Sequence, residues 1–253
     1  MKKATQKDFY RQTGGTDEMS HKKGTLYGVG VGPGDAELLT LKAVRIIREC
    51  DVIGIPAKGT ANCTSYQIAL QAVPEIAEKQ VVALPVPMTT NRRELEESYR
   101  QGCERLTELL DKGKSIALLN LGDPTVYGSY LKFHERVREK GYQAEIVSGV
   151  PSFCAAAAAL EIPLGQEREE IHILPGCYCE DELEEYGGTK VLMKSGGRLD
   201  EIKEKLIRLE EEGKGKACAV SDCGMEQETI WKDIRKLKED AGYFTTIILK
   251  ENK

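Results

Sequence analysis

The chain has 253 residues, of which 40% are hydrophobic, and this is enough apolar material for a sizeable core. Its formal net charge of −5 argues against a nucleic-acid partner, because nucleic-acid binding needs a concentrated basic surface. The first 23 residues lack the apolar stretch of a secretory signal. No later run reaches the roughly 18 apolar residues of a membrane span. We therefore expect a cytoplasmic protein without a membrane partner.

Residues 1–23 are polar and show no apolar periodicity, and we interpret them as a flexible N-terminal tail. From residue 25 onward, short apolar strands alternate with amphipathic helices. The predicted strands are residues 25–31, 51–56, 80–86, 115–121 and 143–149, and the predicted helices are residues 36–50, 91–111, 127–140 and 151–160. Asp35 suits the N-cap of the first helix. This alternation predicts an α/β domain over residues 24–164 with a largely parallel sheet.

The pattern changes after about Leu164, where strands become more frequent than helices. Further strands are predicted at residues 171–176, 189–195, 215–222 and 243–250, with one charged helix at residues 199–212. We therefore expect a second α/β domain over residues 165–253.

The first glycine-rich loop, Gly28-Val-Gly-Val-Gly-Pro-Gly-Asp35, follows the first predicted strand. A dinucleotide site would need G-x-G-x-x-G at this turn. The sixth position is Pro33 when counted from Gly28 and Asp35 when counted from Gly30, so the fingerprint fails in both frames. Residues without a β-carbon let a ligand approach backbone amides, and the alternative is a purely structural turn.

Two further loops follow strands of the same predicted domain. Residues 122–128, Gly-Asp-Pro-Thr-Val-Tyr-Gly, lie at the carboxyl end of a strand, where ligands of open α/β sheets gather. In this loop Asp123 offers a carboxylate to a cation or a hydroxyl group. Residues 148–153, Ser-Gly-Val-Pro-Ser-Phe, lead into Cys154 and five alanines, which suit close packing against a sheet or a flat ligand.

In this order, the three loops resemble the tetrapyrrole methyltransferase family, the class III S-adenosylmethionine-dependent enzymes. The matching stretches are YGVGVGPGDAELLTLKA, LNLGDPTVYGSY and EIVSGVPSFCAAAAALEIPL, and the resemblance covers essentially residues 24–250. It implies two α/β domains with S-adenosyl-L-methionine in the cleft between them, S-adenosyl-L-homocysteine as a product, and a homodimer. LNLGDPTVYGSY, the early Pro56-Ala-Lys and VPMTTN at 86–91 resemble the C-20 methyltransferases of cobalamin biosynthesis, which act on precorrin-2 or cobalt-factor II.

Carried over residue by residue, the resemblance implies cofactor contacts from all three loops and from two later segments. These residues are Pro33, Leu121, Gly122, Asp123, Val126, Ser152, Phe153, Met193 and Gly224. The third loop departs from the family's V-P-G-V-S-S and reads V-S-G-V-P-S. Relatives that act on uroporphyrinogen carry an aspartate, proposed as a base, near the end of the second strand. Pro56 stands there in this chain, which argues against that activity and leaves the catalytic base unidentified.

The carboxylates of a tetrapyrrole need cationic partners, and arginine suits bidentate pairing with them. The candidates are Arg92, Arg93, Lys58 and Lys194 for these charges, and Tyr66, Tyr127 and Tyr130 for steering a proton or packing on the macrocycle. The alternatives are solvated surface charges for the cations and ordinary core packing for the tyrosines.

Eight cysteines at irregular spacing are typical of reduced cytosolic thiols rather than of a disulfide framework. Cys177 and Cys179 are the only close pair, which is a weak metal signal, and the three histidines lack metal-ligand spacing, so we predict no metal site. Because thiols survive best in a reducing cell, the cysteines favour cobalt-factor II over metal-free precorrin-2. Two other functions stay open: a diphthine or ribosomal-RNA methyltransferase of the same fold, and a non-catalytic protein that binds S-adenosylmethionine or a tetrapyrrole.

Overall fold

The computed structural model describes residues 23–175, 182–194 and 198–252, and these ranges contain two five-stranded sheets. The first sheet is entirely parallel, with strand order β3-β2-β4-β1-β5. Its strands are β1 (Thr25–Gly30), β2 (Val52–Ile55), β3 (Gln80–Ala83), β4 (Ile116–Asn120) and β5 (Gln143–Val147). The predicted parallel α/β arrangement is confirmed.

Helices cover both faces of the first sheet. They are α1 (Leu41–Glu49), α2 (Thr64–Ala72), α3 (Arg92–Asp111) and α4 (Tyr130–Glu139), and a fifth helix, α5 (Ser152–Leu160), follows β5. One core cluster includes Val29, Ile47 and Ile53, and the cluster on the opposite face includes Leu106 and Phe133. Because central parallel strands are buried on both faces, β2 and β4 consist entirely of buried residues, which explains their continuous apolar runs.

The predicted helix over residues 36–50 is two separate pieces. Asp35 caps only a 3-10 turn at Ala36–Leu38, by accepting a hydrogen bond from the Glu37 amide at 2.8 Å. Helix α1 then starts after Thr40, whose hydroxyl accepts from the Ala43 amide at 3.1 Å. Threonine is a common N-cap residue, so the sequence contained a second start signal that the apolar periodicity concealed.

Helix α2 was missed, and one predicted helix starts later than expected. Helix α2 was not predicted, because it is short and no side chain caps its first turn. Helix α4 begins at Tyr130 rather than at Tyr127, since Tyr127 has a φ of 52°, which is incompatible with a right-handed helix.

The second sheet is mixed, with strand order β6-β7-β10-β8-β9. Its strands are β6 (Ile171–Pro175), β7 (Thr189–Met193), β8 (Gly215–Ser221), β9 (Thr229–Trp231) and β10 (Thr245–Glu251), and its helices are α6 (Glu182–Glu185) and α7 (Leu199–Glu211). Only β6 and β7 pair in parallel, while β10 pairs antiparallel with both β7 and β8. The sequence did not predict β9, which is three residues long and largely exposed.

Helix α5 packs on the second sheet. Ala155, Ala156 and Ala157 lie in one buried cluster with Val220 and Ile248. The run of alanines therefore serves close helix–sheet packing, because small side chains let the helix approach the strands. This contact crosses the proposed boundary at residue 164, and the boundary itself stays a prediction.

The described helices include none that is long and apolar enough to cross a membrane. Within the same ranges the six cysteines are free thiols, and no group of three His, Cys, Asp or Glu side chains could hold a metal ion. The predicted absence of a metal site stays a prediction. The predictions for Cys177 and Cys179, and for the tail up to residue 22, lie outside the described residues.

Candidate functional site

A cavity of about 490 Å³ lies between the two sheets. The loops after β1, β2 and β4 contribute Pro33, Pro56 and Gly122 to its wall, and the second sheet contributes Met193 and Thr246. The first three lie at the carboxyl ends of parallel strands, where open α/β sheets bind ligands. The volume falls within the range of about 300–1,000 Å³ that is usual for small-molecule sites.

The three glycine-rich loops touch one another through their backbones. The Gly122 amide donates to the Gly32 carbonyl at 2.8 Å. A β-carbon on Gly30 would lie 2.6 Å from both the Gly122 oxygen and the Gly149 nitrogen, and one on Gly149 would lie 2.2 Å from the Gly122 oxygen. Gly30 and Gly149 are therefore required by contacts between the loops, whereas Gly32 and Gly122 have positive φ values of 76° and 68° that favour glycine. The expectation that glycine admits a ligand to the backbone is corrected for Gly30 and Gly149, where protein atoms occupy that space, and stays a prediction for Gly122, which lines the cavity.

The other glycines of the first loop also face protein atoms. A β-carbon on Gly28 would lie 2.2 Å from the Tyr130 ring, and one on Gly34 would lie 2.2 Å from the Cys223 oxygen. The second of these contacts joins the first loop to the loop after β8. Gly224, in that loop, has a φ of 77° and lies against the Asp35 backbone rather than in the cavity lining.

Asp123 connects the second loop to the third. Its side chain is buried, with 7% exposed. One carboxylate oxygen accepts from the Thr125 amide at 2.8 Å and the Thr125 hydroxyl at 2.5 Å, and the other accepts from the Gly149 amide at 3.0 Å. Asp123 lines the cavity, but its oxygens already have protein donors. It therefore holds the wall in shape, and a direct cofactor contact stays a prediction.

The structure brings most of the predicted cofactor residues together on this wall. Those that line the cavity are Pro33, Leu121, Gly122, Asp123, Val126, Ser152 and Met193. Phe153 and Gly224 lie outside the lining. Residues far apart in sequence thus converge on one site, and their contacts with a cofactor stay a prediction.

Two of the predicted substrate residues are core residues. Tyr66 and Tyr130 are buried, with 6% and 1% exposed, and neither lines the cavity. The Tyr130 ring packs over Gly28, its hydroxyl donates to the Glu145 carbonyl at 2.7 Å, and burial raises its pKa. For these two tyrosines the structure favours the core-packing alternative.

Tyr127 is the one predicted tyrosine that lines the cavity, and 45% of it is exposed. Arg92 and Arg93 are exposed at the start of α3 and lie outside the lining. Lys58 is likewise exposed and outside the lining, so of the seven residues proposed from sequence to contact a substrate, two lie on the wall, Tyr127 and Lys194.

Several lining residues were not proposed from the sequence as ligand contacts, although the segment 86–91 was part of the family resemblance. They are the start of α2 at residues 62–65, the segment 86–88, and residues 243–246 before and within β10. The N-cap of α2 is Cys63, which makes no side-chain cap, so the sequence carried little signal for the start of this helix. The segment before β10 carried no sequence signal for the site, because its neighbours in the fold are distant in sequence.

The two thiols of the described lining belong to Cys63 and Cys223. Burial, reinforced by the nearby Glu228 carboxylate, raises the pKa of Cys223 to about 12. This thiol therefore stays protonated at neutral pH and is a poor nucleophile. The described part of the lining contains no histidine. The Cys223 thiol is thus unsuited to covalent catalysis.

Comparison with known proteins places this site in context. Residues 25–238 match the family model described as Tetrapyrrole (Corrin/Porphyrin) Methylases. The chain is 35% identical to the cobalamin biosynthesis protein CobIJ of Mycobacterium tuberculosis, over 73% of this chain and 38% of that protein. The chain thus spans little more than a third of that relative.

Two further relatives are matched over more of their length. A probable cobalt-precorrin-2 C(20)-methyltransferase of Methanocaldococcus jannaschii is 34% identical, over 67% of this chain and 72% of that protein. A precorrin-2 C(20)-methyltransferase of a Sinorhizobium species is 29% identical, over 89% and 95%. Both names include the C(20) position, and they differ in the presence of cobalt.

Among solved structures, uroporphyrin-III C-methyltransferase of Thermus thermophilus, in complex with S-adenosylhomocysteine, superposes with a TM-score of 0.65. The match is 22% identical and covers 90% of this chain and 98% of that one. At this level of identity the likeness shows a shared fold.

Proposed function

The chain belongs to the tetrapyrrole (corrin/porphyrin) methylase family, and on this premise we propose that it transfers a methyl group from S-adenosyl-L-methionine to C-20 of precorrin-2 or its cobalt complex. The observation that carries the proposal is the cavity between the two sheets, whose wall is built by the three loops. The names of the C(20)-methyltransferase relatives support this position on the ring. They also favour the corrin branch over a diphthine or ribosomal-RNA methyltransferase.

The residues of the cavity fit S-adenosylmethionine. Val126 and Met193 provide apolar wall, while the hydroxyls of Ser152 and Thr246, 3.4 Å apart, provide hydrogen-bonding groups. Such a mainly apolar wall with a few polar groups is usual for cofactor sites. When bound, S-adenosylmethionine supplies an electrophilic methyl group, and Gly122 and Pro33 would hold it at the carboxyl edge of the first sheet.

The work left to the protein is alignment and exclusion of water. Methyl transfer to carbon is an in-line displacement, in which the C–C bond forms as the C–S bond breaks. Holding two reactants at near-attack distance can contribute about 7–11 kcal/mol to lowering a barrier. The contacts among Gly30, Gly122 and Gly149 make the wall rigid, and this rigidity serves such alignment.

The mouth of the cavity suits a flat macrocycle. Met88, Tyr127, Tyr243 and Phe244 all line the cavity and are large apolar side chains with substantial exposure. Tyr243 and Phe244 meet edge to face, with ring centroids 5.4 Å apart. Exposed apolar groups around a pocket often mark a binding surface. This apolar rim supports a tetrapyrrole substrate.

We expect S-adenosylhomocysteine to bind the purified protein in isothermal titration calorimetry. With radiolabelled S-adenosylmethionine, precorrin-2 or cobalt-factor II should then acquire label. Folded protein that binds neither S-adenosylmethionine nor S-adenosylhomocysteine would contradict the proposal. Binding without methyl incorporation on either macrocycle would favour the non-catalytic alternative.

We expect faster turnover on cobalt-factor II than on metal-free precorrin-2 under anaerobic conditions. The physical reason is that the many thiols suit a reducing cell, in which a cobalt-first route operates without oxygen. Initial rates with equal concentrations of the two macrocycles measure the preference. If the metal-free ring reacts at least as fast, the choice of cobalt is wrong, and the methyltransferase proposal is unaffected.

The proposed enzyme acts in the cytoplasm as a homodimer. The family resemblance supports the dimer. The free thiols among the described cysteines support a reducing compartment.

A further inference from the structure

Lys194 lies at the end of β7 and lines the cavity. Its backbone has a φ of 58°, in the left-handed region that residues other than glycine rarely adopt. Residues held in this region cluster at functional sites, because the surrounding structure must maintain them.

The side chain of Lys194 reaches from the second sheet to the second loop of the first. Its Nζ donates to the Tyr127 carbonyl at 3.2 Å and lies 5.4 Å from the centroid of the Tyr127 ring. Tyr127 is itself left-handed, with a φ of 52°, and its hydroxyl donates to the Ile173 carbonyl at 3.3 Å. Two strained residues thus meet across the cavity, and the ammonium group is held in place.

No described carboxylate forms an ion pair with the ammonium group of Lys194. Lys194 is also the only lysine or arginine of the described lining. The only carboxylate in that lining, Asp123, has both oxygens engaged by protein donors. An ammonium group has three donors, and the Tyr127 carbonyl uses one of them. The cavity therefore presents a positioned cation that can accept an anionic group of a ligand.

We infer that Lys194 binds a carboxylate of the tetrapyrrole substrate, an inference that rests on the proposed function. The other cations considered from sequence, Lys58, Arg92 and Arg93, are exposed and lie outside the lining. Next to Lys194, the exposed Tyr127 ring belongs to the apolar rim. A ligand with an apolar face and an anionic edge matches this pairing of a cation with aromatic surface.

The test is an absorbance titration with uroporphyrin III, a polycarboxylate porphyrin, and with its fully esterified form. We expect Lys194→Met to weaken uroporphyrin binding about 10- to 100-fold, which is the effect of losing a hydrogen bond to a charged group. Lys194→Arg should recover most of the affinity, because it keeps the charge. The esterified porphyrin should bind wild type and Lys194→Met equally. In steady-state assays the methionine variant should show a raised KM for the natural macrocycle and a similar kcat.

Lys132→Met is the matched control, because Lys132 is an exposed lysine on α4, outside the lining. Its affinity for the porphyrin should stay within about twofold of wild type. Calorimetry with S-adenosylhomocysteine should give the same dissociation constant for all variants. Unchanged porphyrin affinity in Lys194→Met, or equal weakening for the ester, would overturn the inference. So would a parallel loss of S-adenosylhomocysteine affinity, which would assign Lys194 to the cofactor.

Failure of the proposed function has a different signature. A wild-type protein that does not bind S-adenosylhomocysteine contradicts the proposed methyl transfer. The porphyrin titration still decides the role of Lys194, because it requires neither cofactor nor turnover.

Discussion

Replacing Gly149 with alanine will lower the free energy of unfolding by about 3 kcal/mol and weaken S-adenosylhomocysteine binding more than tenfold. The added β-carbon would lie 2.2 Å from the Gly122 oxygen and 2.9 Å from the Gly30 backbone. Overpacking costs about 1–3 kcal/mol when side chains can adjust, and here the neighbours are backbone. Relief requires the three loops to separate, which displaces the wall of the cavity.

Chemical denaturation and calorimetry measure the two effects of Gly149→Ala. Gly59→Ala is the control, because Gly59 follows β2 near the same cavity and its β-carbon would meet nothing within 4 Å. We expect the control to stay within about 0.5 kcal/mol of wild type, as surface substitutions usually do. If Gly149→Ala matched wild type in stability and affinity, the close contact between the loops would be wrong.

Asp123→Ala is the second substitution with a large expected effect. It removes the acceptor of the Gly149 amide and of both donors of Thr125. A fully buried donor left without a partner costs about 1–3 kcal/mol, and these three donors cost less because they are only partly buried and water can replace the acceptor. We expect a loss of about 2–4 kcal/mol in the free energy of unfolding. S-adenosylhomocysteine affinity should fall about 10- to 100-fold, because the second and third loops lose their connection.

The amide variant and an exposed aspartate separate the possible roles of Asp123. Asp123→Asn keeps one oxygen for the donors of Thr125 and turns an NH₂ group towards the Gly149 amide, so we expect about half the loss of stability. Asp111→Ala removes an exposed carboxylate that lies 3.7 Å from Lys23 and should change stability by less than about 0.5 kcal/mol. A fall in affinity without a fall in stability would show that Asp123 contacts the ligand directly. If Asp123→Ala changed neither the free energy of unfolding nor the affinity for S-adenosylhomocysteine, Asp123 would have no role in the site.

Local sequence patterns predicted most elements of the fold. Continuous apolar runs such as residues 115–121 indicated buried parallel strands, and every predicted strand is present with ends shifted by a few residues. The failures occurred where the local signal was weak, at α2 and β9, or where two start signals overlapped, at Asp35 and Thr40. Hydrophobic periodicity reports burial, and short elements have too few residues to display a period.

The predictions for the site also succeeded where a local motif was present and failed where the outcome depended on the surrounding fold. The resemblance carried by the three loops indicated Gly122, Asp123 and Ser152, which the structure brings to one wall. Among the tyrosines, sequence could not separate Tyr127 from Tyr130, which are three residues apart. A left-handed backbone puts the first at the cavity, while the start of α4 buries the second over Gly28.

By itself, the sequence determined the parallel α/β pattern, the position of the three loops after strands, and the acidic, cysteine-rich character of the chain. Only the tertiary structure decided why the loops contain glycine and which cation faces the cavity. Gly30 and Gly149 are far apart in the chain, and their need for glycine arises where their backbones meet the Gly122 carbonyl. The unpaired charge of Lys194 likewise depends on the surroundings that the second sheet and the second loop create together. A local pattern records the conformation of its own segment, and such close approaches exist only between segments that folding brings together.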